Sequence, residues 1–335
     1  MAVTLRDVAA RVGVSPRTVS NVVNDFRHVS PATRVRVQAA IDELDYRPNL
    51  LARSLRQGRT AVIALLVPEL DVPYFSELAH EMVLHARTLG LTVLVDETTG
   101  ARAREVELLD VLTRTGQVDG VILSAIGLSG RALAGLRPTV PVVLLGERTG
   151  GSSVDQVGFD NVGAARQLVA HLLERGRRRI AVIGAGTSSA YATSNLRLQG
   201  CRDALQAAGV PYLPELTMRT ERWHRSDGYR IMAELLTGDR PPEAVVAFND
   251  VLALGALRLL HERGVAVPHD IAVTGFDDIE DSRFSVPTLT TVGPDRAEIA
   301  RQSLDALVDR IAGHAGPARA VRVPFRLRVR ESSQL

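Results

Sequence analysis

A short polar segment near the N-terminus carries side chains that could read the edges of DNA bases. Between Ser15 and Asn24 there is no acidic residue that would repel phosphate groups. The guanidinium of Arg17 can donate two hydrogen bonds to guanine, and the amide of Asn21 can pair with adenine. Each contact of this kind discriminates against a wrong base by about 1–3 kcal/mol. The segment predicts base-specific contact in the major groove; the alternative is a solvated polar face on a small helical subdomain.

Three short helices are expected to position this segment. Thr4 with Asp7 resembles a capping box at the first helix start, and Gly13-Val14 ends that helix as the turn of a helix-turn-helix does. Ser15-Pro16 and Ser30-Pro31 each combine a capping hydroxyl with a proline suited to a first helical position. Apolar residues at helical spacing predict a small core made of Leu5, Val8, Ala9, Val12, Val19, Val22, Val23, Val37, Ala40, Ile41 and Leu44.

Residues 49–56 form a basic segment that follows Pro48 and stops before Gln57-Gly58. A helix of this length is unstable alone in water, but it could form on DNA with a partner helix packed against one side. Leu55 could then wedge between base pairs in the minor groove and kink the duplex. The alternative is a flexible linker, and both interpretations hold if the segment is disordered when free and helical when bound.

Charge is distributed unevenly along the chain. Residues 1–60 hold ten Arg and five acidic residues, whereas the rest of the 335 residues hold 30 Arg and 33 acidic residues. A basic head on a mildly acidic body suits DNA binding through the head. The sequence contains no lysine, which excludes Schiff-base chemistry and a phosphate-loop lysine. Its single cysteine, Cys201, excludes an internal disulfide and a cysteine-based zinc site.

The body after residue 60 alternates short apolar runs with helical patterns. The runs, rich in Val and Ile, are residues 61–67, 91–95, 119–123, 140–145, 179–183, 244–248 and 271–276. Runs of this kind predict buried parallel strands, and their number favours two doubly wound α/β subdomains over one sheet. The expected fold class is an N-terminal all-α helix-turn-helix head plus an α/β body.

Several motifs give the chain a specific resemblance. Thr4–Ala9, Gly13–Ser15, Val29–Arg34 and Tyr46–Asn49, together with Thr18–Ser20 and Val22–Asn24, resemble the lactose-repressor (LacI/GalR) family of bacterial transcription regulators. The resemblance implies that Pro16, Arg17 and Asn21 read the operator and that Leu55 is an intercalating hinge leucine. Many members carry Arg where this chain has Asn21, so the operator sequence is expected to differ.

The resemblance extends to the whole chain and implies a set of contacts with DNA. The expected DNA-binding residues are Thr4, Leu5, Ser15, Pro16, Arg17, Thr18, Ser20, Asn21, Asn24, His28, Val29, Ser30, Thr33, Asn49, Ala52, Arg53, Leu55 and Arg56. The expected domains are a head over 1–48, a hinge and linker over 49–60, and an effector-binding and dimerisation body over 61–335.

The body is expected to be a periplasmic-binding-protein-like pair of subdomains joined by three crossovers. The first subdomain would span about 61–160 and 292–323, and the second about 161–291 and 324–335. On this pattern, the strand near 292 returns to the first half and residues 325–330 finish in the second.

Ligands of doubly wound sheets bind at the carboxyl ends of the strands, so the residues that follow each run are candidates. The resemblance places Arg197, Trp223, Asn249 and Asp277 at effector-contacting positions, with Ser124 and Glu147 expected on the opposing half. Tyr74 and Phe75 follow the first run and could flank a sugar ring beside Trp223. For Asp277 the alternative is a helix cap, and core packing is favoured for Phe159, Phe248 and Phe276.

The expected function is a repressor that binds a near-palindromic operator as a homodimer and responds to a small molecule, most simply a sugar. Neither a cofactor nor a metal is expected. No apolar run approaches the about 20 residues of a membrane span, and no secretory signal is recognised, so a cytoplasmic protein is expected.

Two other functions use the same body. A sugar-binding transport protein would share the two subdomains, but the head and the missing signal sequence argue against it. An enzyme could use Gly184-Ala185-Gly186 as part of a dinucleotide fingerprint, but Ser189 stands where the third glycine is expected. Cys201 is expected to be buried rather than nucleophilic.

Overall fold

The described part of the chain divides into two units. The structure, a computed structural model, describes residues 3–23, 26, 28–46, 59–128, 130–136, 138–146, 154–186, 192–220 and 222–334. Contacts between residues separate Met1–Thr60 from Ala61–Leu335. Each unit is described by itself below.

The first unit contains three helices, α1 (Leu5–Val12), α2 (Pro16–Val23) and α3 (Pro31–Glu43). At the start of α1, Thr4 and Asp7 form the predicted capping box, in which each side chain bonds the other's backbone N–H. Gly13 then ends α1 with φ of 71°, a conformation that glycine adopts without steric cost. The hydroxyls of Ser15 and Ser30 accept the backbone N–H groups of the residues three positions on.

The predicted core of the first unit is confirmed. Val8, Ala9, Val19, Val22, Val37, Ala40 and Tyr46 are buried, and the remaining predicted apolar residues pack against them. Because the helices are short, this packing rather than helix propensity holds them together.

The second unit contains two six-stranded sheets. The first sheet has the order β11-β5-β4-β3-β1-β2, made of β1 (Val62–Val67), β2 (Thr92–Glu97), β3 (Gly120–Leu123), β4 (Val142–Leu145), β5 (Asp155–Gly158) and β11 (Ala320–Arg322). The second has the order β12-β10-β9-β8-β6-β7, made of β6 (Ile180–Ala185), β7 (Thr217–Arg219), β8 (Ala244–Ala247), β9 (Ala272–Phe276), β10 (Thr290–Pro294) and β12 (Phe325–Arg328). Only β12 pairs antiparallel within these described strands.

Helices connect the strands and cover the sheets. They are α4 (Pro73–Thr88), α5 (Arg102–Arg114), α6 (Gly130–Leu136), α7 (Asn161–Glu174), α8 (Ala192–Ala207), α9 (Arg225–Leu236), α10 (Asp250–Glu262), α11 (Asp281–Phe284) and α12 (Arg296–Ile311). Two single 3-10 turns, Pro214–Leu216 and Glu331–Ser333, complete the described elements. None of the described helices is long and apolar enough to cross a membrane.

Each sheet with its helices forms one subdomain, and the chain passes between them three times in the described residues: after β5, after β10 and after β11. The expectation that the strand near 292 returns to the first half is wrong. Residues Thr290–Val292 pair parallel with Thr274–Phe276, so β10 stays in the second sheet. The return follows Pro294, because α12 packs against α4 and the first sheet. Residues 325–328 do lie in the second sheet.

A buried carboxylate holds the edge strand β11 in the first subdomain. Asp155 accepts hydrogen bonds from the guanidinium groups of Arg310 and Arg319, with the closest contacts at 2.8 Å. Burial alone would raise the pKa of Asp155, but these bonds outweigh it and lower the pKa to about 2. The cluster joins β5, α12 and the residue before β11, and so stabilises the segment in which the chain returns from the second subdomain to the first.

Candidate functional site

The first unit presents the predicted base-reading residues at the start of α2. Ser15, Pro16 and Arg17 are exposed, while Thr18, Ser20 and Asn21 are half-buried. Val19 and Val22 point into the core, which turns the polar face of α2 outward. The side chain of Arg17 is therefore accessible from outside the unit.

The other predicted DNA-binding residues of this unit surround α2. Thr4, His28 and Ser30 are exposed, and Leu5, Val29 and Thr33 are half-buried. Thr4 and Ser30 are also helix caps, so their side chains already bond to the backbone of α1 and α3. Seven predicted site residues lie outside the described residues: Asn24, Asn49, Ala52, Arg53, Leu55, Arg56 and Glu147.

The second unit contains a cavity of about 260 Å³ between the carboxyl ends of the two sheets. Seven predicted effector residues line it: Tyr74, Phe75, Ser124, Arg197, Trp223, Asn249 and Asp277. Ser124 follows β3, Asn249 follows β8 and Asp277 follows β9, because every parallel strand of a sheet ends at the same edge. The topology thus brings together side chains that are up to about 200 positions apart in the sequence.

Arg197 is the centre of the cavity's charged groups. Its side chain is 5% exposed and projects from α8, where Nη2 lies 3.5 Å from Oδ1 of Asp277. Nε donates to Oδ1 of Asn161 at 2.9 Å, and Nη1 donates to the carbonyl of Phe248. The guanidinium also lies 4.2 Å from the ring centroid of Phe276, which favours a cation–π contact. The protein itself therefore holds Arg197 in one orientation.

The Arg197–Asp277 pair is buried, and burial shifts both pKa values toward the neutral forms. Loss of hydration raises the pKa of Asp277 and lowers the pKa of Arg197, while the charge of each partner acts in the opposite direction. Asp277 caps no helix in the described residues; its carboxylate faces Arg197 instead. A ligand hydroxyl that bonds to both groups would replace part of the water they have lost.

Trp223 forms one apolar wall of the cavity. Its ring lies edge-on to Phe248, with centroids 6.3 Å apart, and 5.6 Å from Cζ of Arg197. Asn249 holds the backbone beside it: Nδ2 donates to the carbonyl of Trp223 at 3.0 Å, and Oδ1 accepts from Leu252 N at 2.9 Å. Asn249 is thus both the cap of α10 and the support of the tryptophan loop.

Tyr74 and Phe75 form the facing wall at the start of α4. Their rings are edge-to-face, with centroids 5.3 Å apart. Burial raises the pKa of the Tyr74 hydroxyl further above its ordinary value, so the hydroxyl stays protonated and can donate to a ligand. Phe248 and Phe276 are wholly buried, as their expected core role requires, whereas the buried Phe159 also lines the cavity.

Sequence reasoning missed several cavity residues. Asn161 and Phe159 follow β5, whose segment Asp155–Gly158 has no apolar run to indicate a strand. Thr193 and Ser194 start α8, and Gly184 and Gly186, on either side of the last residue of β6, were a signal that could have located them. Glu69 could have been found, because it lies two residues after the end of β1; it pairs with Nε2 of His224 at 2.7 Å and joins the two walls.

The site can bind a small molecule that has both hydroxyls and an apolar face. Carboxylate, guanidinium, hydroxyl and amide groups lie around one volume that aromatic rings flank. The described residues contain no group of three or more His, Cys, Asp or Glu side chains placed to hold a metal ion.

Comparisons with known proteins match both units. A family model described as bacterial regulatory proteins, lacI family, matches residues 4–49, and one described as periplasmic binding protein-like domain matches residues 169–333. The HTH-type transcriptional repressor PurR of Haemophilus influenzae (strain PittEE) is 32% identical over 312 residues, which cover 92% of this chain and 91% of PurR.

Two solved structures resemble the whole chain. The lac repressor dimer bound to operator and the anti-inducer ONPF has a TM-score of 0.89 at 29% identity, with all of both chains covered. The complex of the transcriptional regulator CelR with cellobiose has a TM-score of 0.73 at 34% identity, covering 98% of this chain and 99% of CelR. These matches confirm the predicted fold class.

Proposed function

Because this chain belongs to the lacI family of bacterial regulatory proteins, we propose that it is a DNA-binding transcriptional repressor controlled by a sugar bound in the cavity of its body. The observation that carries the proposal is the convergence of seven predicted effector residues on one cavity, in a chain whose head presents Arg17 on an exposed helix start. The relatives that cover the chain are named as repressors, which supports regulation rather than turnover.

The head supplies the operator contacts in this proposal. Arg17 reads guanine from the N-terminal end of α2, and Asn21 contributes from the next turn. Pro16 has no backbone N–H to donate, so base reading depends more on Arg17. The segment 49–56, with Leu55 as a minor-groove wedge, would add affinity for DNA that can be bent.

A sugar suits the cavity better than a wholly apolar or a wholly charged ligand. Hydroxyl groups pair well with the planar polar groups of Arg197, Asp277 and Asn161, and the carbon face of a sugar ring stacks on aromatic rings such as Trp223. The similar regulator CelR was solved in complex with cellobiose, which supports a sugar as the ligand of this protein as well. In our proposal the sugar releases the repressor from its operator.

The proposed assembly is a homodimer. One short recognition helix reads too few bases for useful specificity, so two heads on a near-palindromic operator are needed. Phe284 and Val286 support self-association, because these large apolar side chains are 77% and 89% exposed on the second subdomain. The similar lac repressor structure is itself a dimer on its operator.

Selection of operators from a random duplex pool by the full chain tests DNA recognition. We expect a near-palindromic consensus, and Arg17→Ala should lose preference at one position in each half-site, at a cost of about 1–3 kcal/mol. Arg6→Ala, which removes an exposed arginine from α1, is the matched control and should keep the consensus. A consensus that Arg17→Ala leaves unchanged would remove Arg17 from the base-reading residues.

A thermal-shift screen over mono- and disaccharides tests the effector. A ligand that binds only the folded state raises the melting temperature more as its concentration exceeds its Kd further, so the effector should stand out from a panel tested at one concentration. Adding it to the protein–operator complex should release the DNA. Consumption of the sugar would support the enzyme alternative. A sugar that binds to a protein for which the selection yields no operator would support the transport-protein alternative.

A further inference from the structure

The loop Asp277–Glu280 is held by one hydrogen bond from each of its four backbone amides. The acceptors, in chain order, are the carbonyl of Val292 at 2.9 Å, the hydroxyl of Thr291 at 3.3 Å, the carboxylate of Asp250 at 3.0 Å and the carboxylate of Glu77 at 2.9 Å. The first three acceptors belong to the second subdomain, as the loop does. Glu77 lies on α4 of the first subdomain, so the fourth bond crosses between the subdomains.

Arg296 strengthens the same crossing. Its Nη2 lies 2.7 Å from the other carboxylate oxygen of Glu77, and both side chains are largely buried, at 17% and 25% exposure. Its Nη1 donates to the carbonyl of Asp277 at 2.7 Å and to the carbonyl of Asp278 at 3.1 Å. Arg296 is the first residue of α12, directly after the chain returns to the first subdomain. One guanidinium therefore joins α4 to the backbone of the loop Asp277–Glu280.

The loop backbone needs such support because it is strained. Asp277 has φ of 106° and Asp278 has φ of 52°, in the left-handed region that residues other than glycine rarely adopt. Conformations of this kind persist only where the surroundings hold them. Gly293 allows the close approach of β10, since a Cβ there would lie 2.7 Å from the carbonyl carbon of Asp277.

The other end of the link also reaches the cavity. Tyr74 and Phe75, which line it from the first subdomain, lie in the same first turn of α4 that leads to Glu77. The two subdomains that wall the cavity are thus joined at Glu77 and Arg296 as well as at Glu69 and His224.

We propose that Glu77 and Arg296 are a positioning pair that ties the Asp277 loop to α4, so that a ligand displacing Asp277 displaces the first subdomain with it. This inference rests on the proposed effector role of the cavity. Neither residue is proposed to contact the ligand; both act through the backbone of residues 277–280. Because coupling between two sites is reciprocal, a substitution at Glu77 should alter the position or mobility of the cavity wall in the second subdomain.

Trp223, the only tryptophan of the chain, provides the readout from the far wall. In the full-length protein we expect Glu77→Ala to raise the acrylamide quenching constant of Trp223 at least about twofold. In hydrogen–deuterium exchange, the Glu280 amide should exchange about tenfold faster, because its acceptor is lost. Glu77→Gln keeps an acceptor oxygen and should restore most of the protection of that amide.

Asp305→Ala is the matched control. Asp305 lies on α12 and contacts His85 of α4 at 3.5 Å, so this change perturbs the same helix pair without touching the loop. It should leave the quenching of Trp223 and the exchange of residues 277–280 unchanged. A melting curve for each variant separates a local effect from general unfolding.

Arg296→Met provides a second route if Glu77→Ala proves unstable, since it removes the donors to the loop carbonyls and keeps the apolar stem. Unchanged quenching and exchange in a folded Arg296→Met or Glu77→Ala protein would overturn the inference, and so would an equal response of Asp305→Ala. These measurements use the protein without DNA. A failed operator selection would therefore contradict the proposed function, while the quenching and exchange results would still test the role of Glu77 and Arg296.

Discussion

At the scale of single residues, the cavity depends on a buried ion pair that the protein itself holds in place. Arg197 bonds to Asp277, Asn161 and a backbone carbonyl, and each bond offsets part of the cost of burying its charge. Breaking such a pair by removing one partner typically costs about 3–5 kcal/mol, because an unpaired charge remains. The pair thus gives the site a rigid set of donors and acceptors.

Asp277→Asn is the residue-scale prediction. Asn has the same shape and tolerates a positive φ, so the fold should persist, but with a lower melting temperature because the charge facing Arg197 is lost. We expect the thermal shift produced by the sugar to disappear while operator affinity stays within about twofold of the wild type. Asp281→Asn, which changes an exposed carboxylate at the start of α11 directly after the loop, is the control and should respond normally. A normal sugar response of Asp277→Asn would contradict the assignment.

At the scale of elements, the turn Glu331–Ser333 is fastened to the second sheet by a buried side-chain network. Nε2 of His171 on α7 lies 2.7 Å from the hydroxyl of Ser333, which bonds in turn to the hydroxyl of Thr290 at 2.7 Å. Arg175 donates to Nδ1 of His171, so His171 is neutral and its Nε2–H donates to Ser333. The network joins α7, β10 and the turn Glu331–Ser333.

A dependence of stability on pH follows at this scale. Burial, with the nearby charge of Arg175, lowers the pKa of His171 from 6.5 to about 4. The folded state therefore resists protonation, so stability is full above about pH 6.5 and falls as the pH drops toward 4. The shift corresponds to about 3 kcal/mol over that range.

Urea unfolding of the full chain at several pH values between 7.5 and 4.5 measures this dependence. His171→Gln cannot titrate and should flatten the decline in the unfolding midpoint. His261→Gln, which alters an exposed histidine at the end of α10, should keep the wild-type slope. Equal slopes for wild type and His171→Gln would show that other groups govern acid sensitivity.

At the scale of the whole molecule, the proposal needs two chains to place two heads on one operator. Phe284 and Val286 are exposed and follow shortly after the loop Asp277–Glu280 in the sequence. The last backbone amide of that loop, Glu280 N–H, donates a hydrogen bond to Glu77. Self-association through this face would bury apolar surface, and each Å² buried stabilises the dimer by about 25 cal/mol. Ligand binding, loop position and dimer geometry would then share one short stretch of chain.

Introducing charge on this face should weaken the dimer. We expect Phe284→Asp with Val286→Asp to shift sedimentation from dimer toward monomer at micromolar concentration. Operator affinity should fall at least about tenfold, because the two half-sites are no longer read together. Leu136→Asp, at another exposed apolar position, is the control. A charged variant that remains dimeric would place the interface elsewhere.

Much of this architecture could be predicted because its causes are local. Thr4 and Asp7 satisfy each other's backbone N–H groups three residues apart, and the runs before Pro68, Ser124 and Asn249 are apolar because they are buried on both faces. Residues after these strands had to meet at one edge once the sheets were parallel. The family resemblance then indicated which of them would face the cavity.

The sequence by itself determined the helical head and the α/β class of the body, since capping, periodicity and strand ends act over a few residues. The family resemblance, together with the residues that follow the strands, indicated seven positions of the cavity. Only the tertiary structure decided that β10 stays in the second sheet and that Asn161 supports Arg197. It alone brought Glu77 to Arg296, more than 200 positions away. Such contacts follow from how the chain crosses between subdomains, and neither residue type nor spacing records that path.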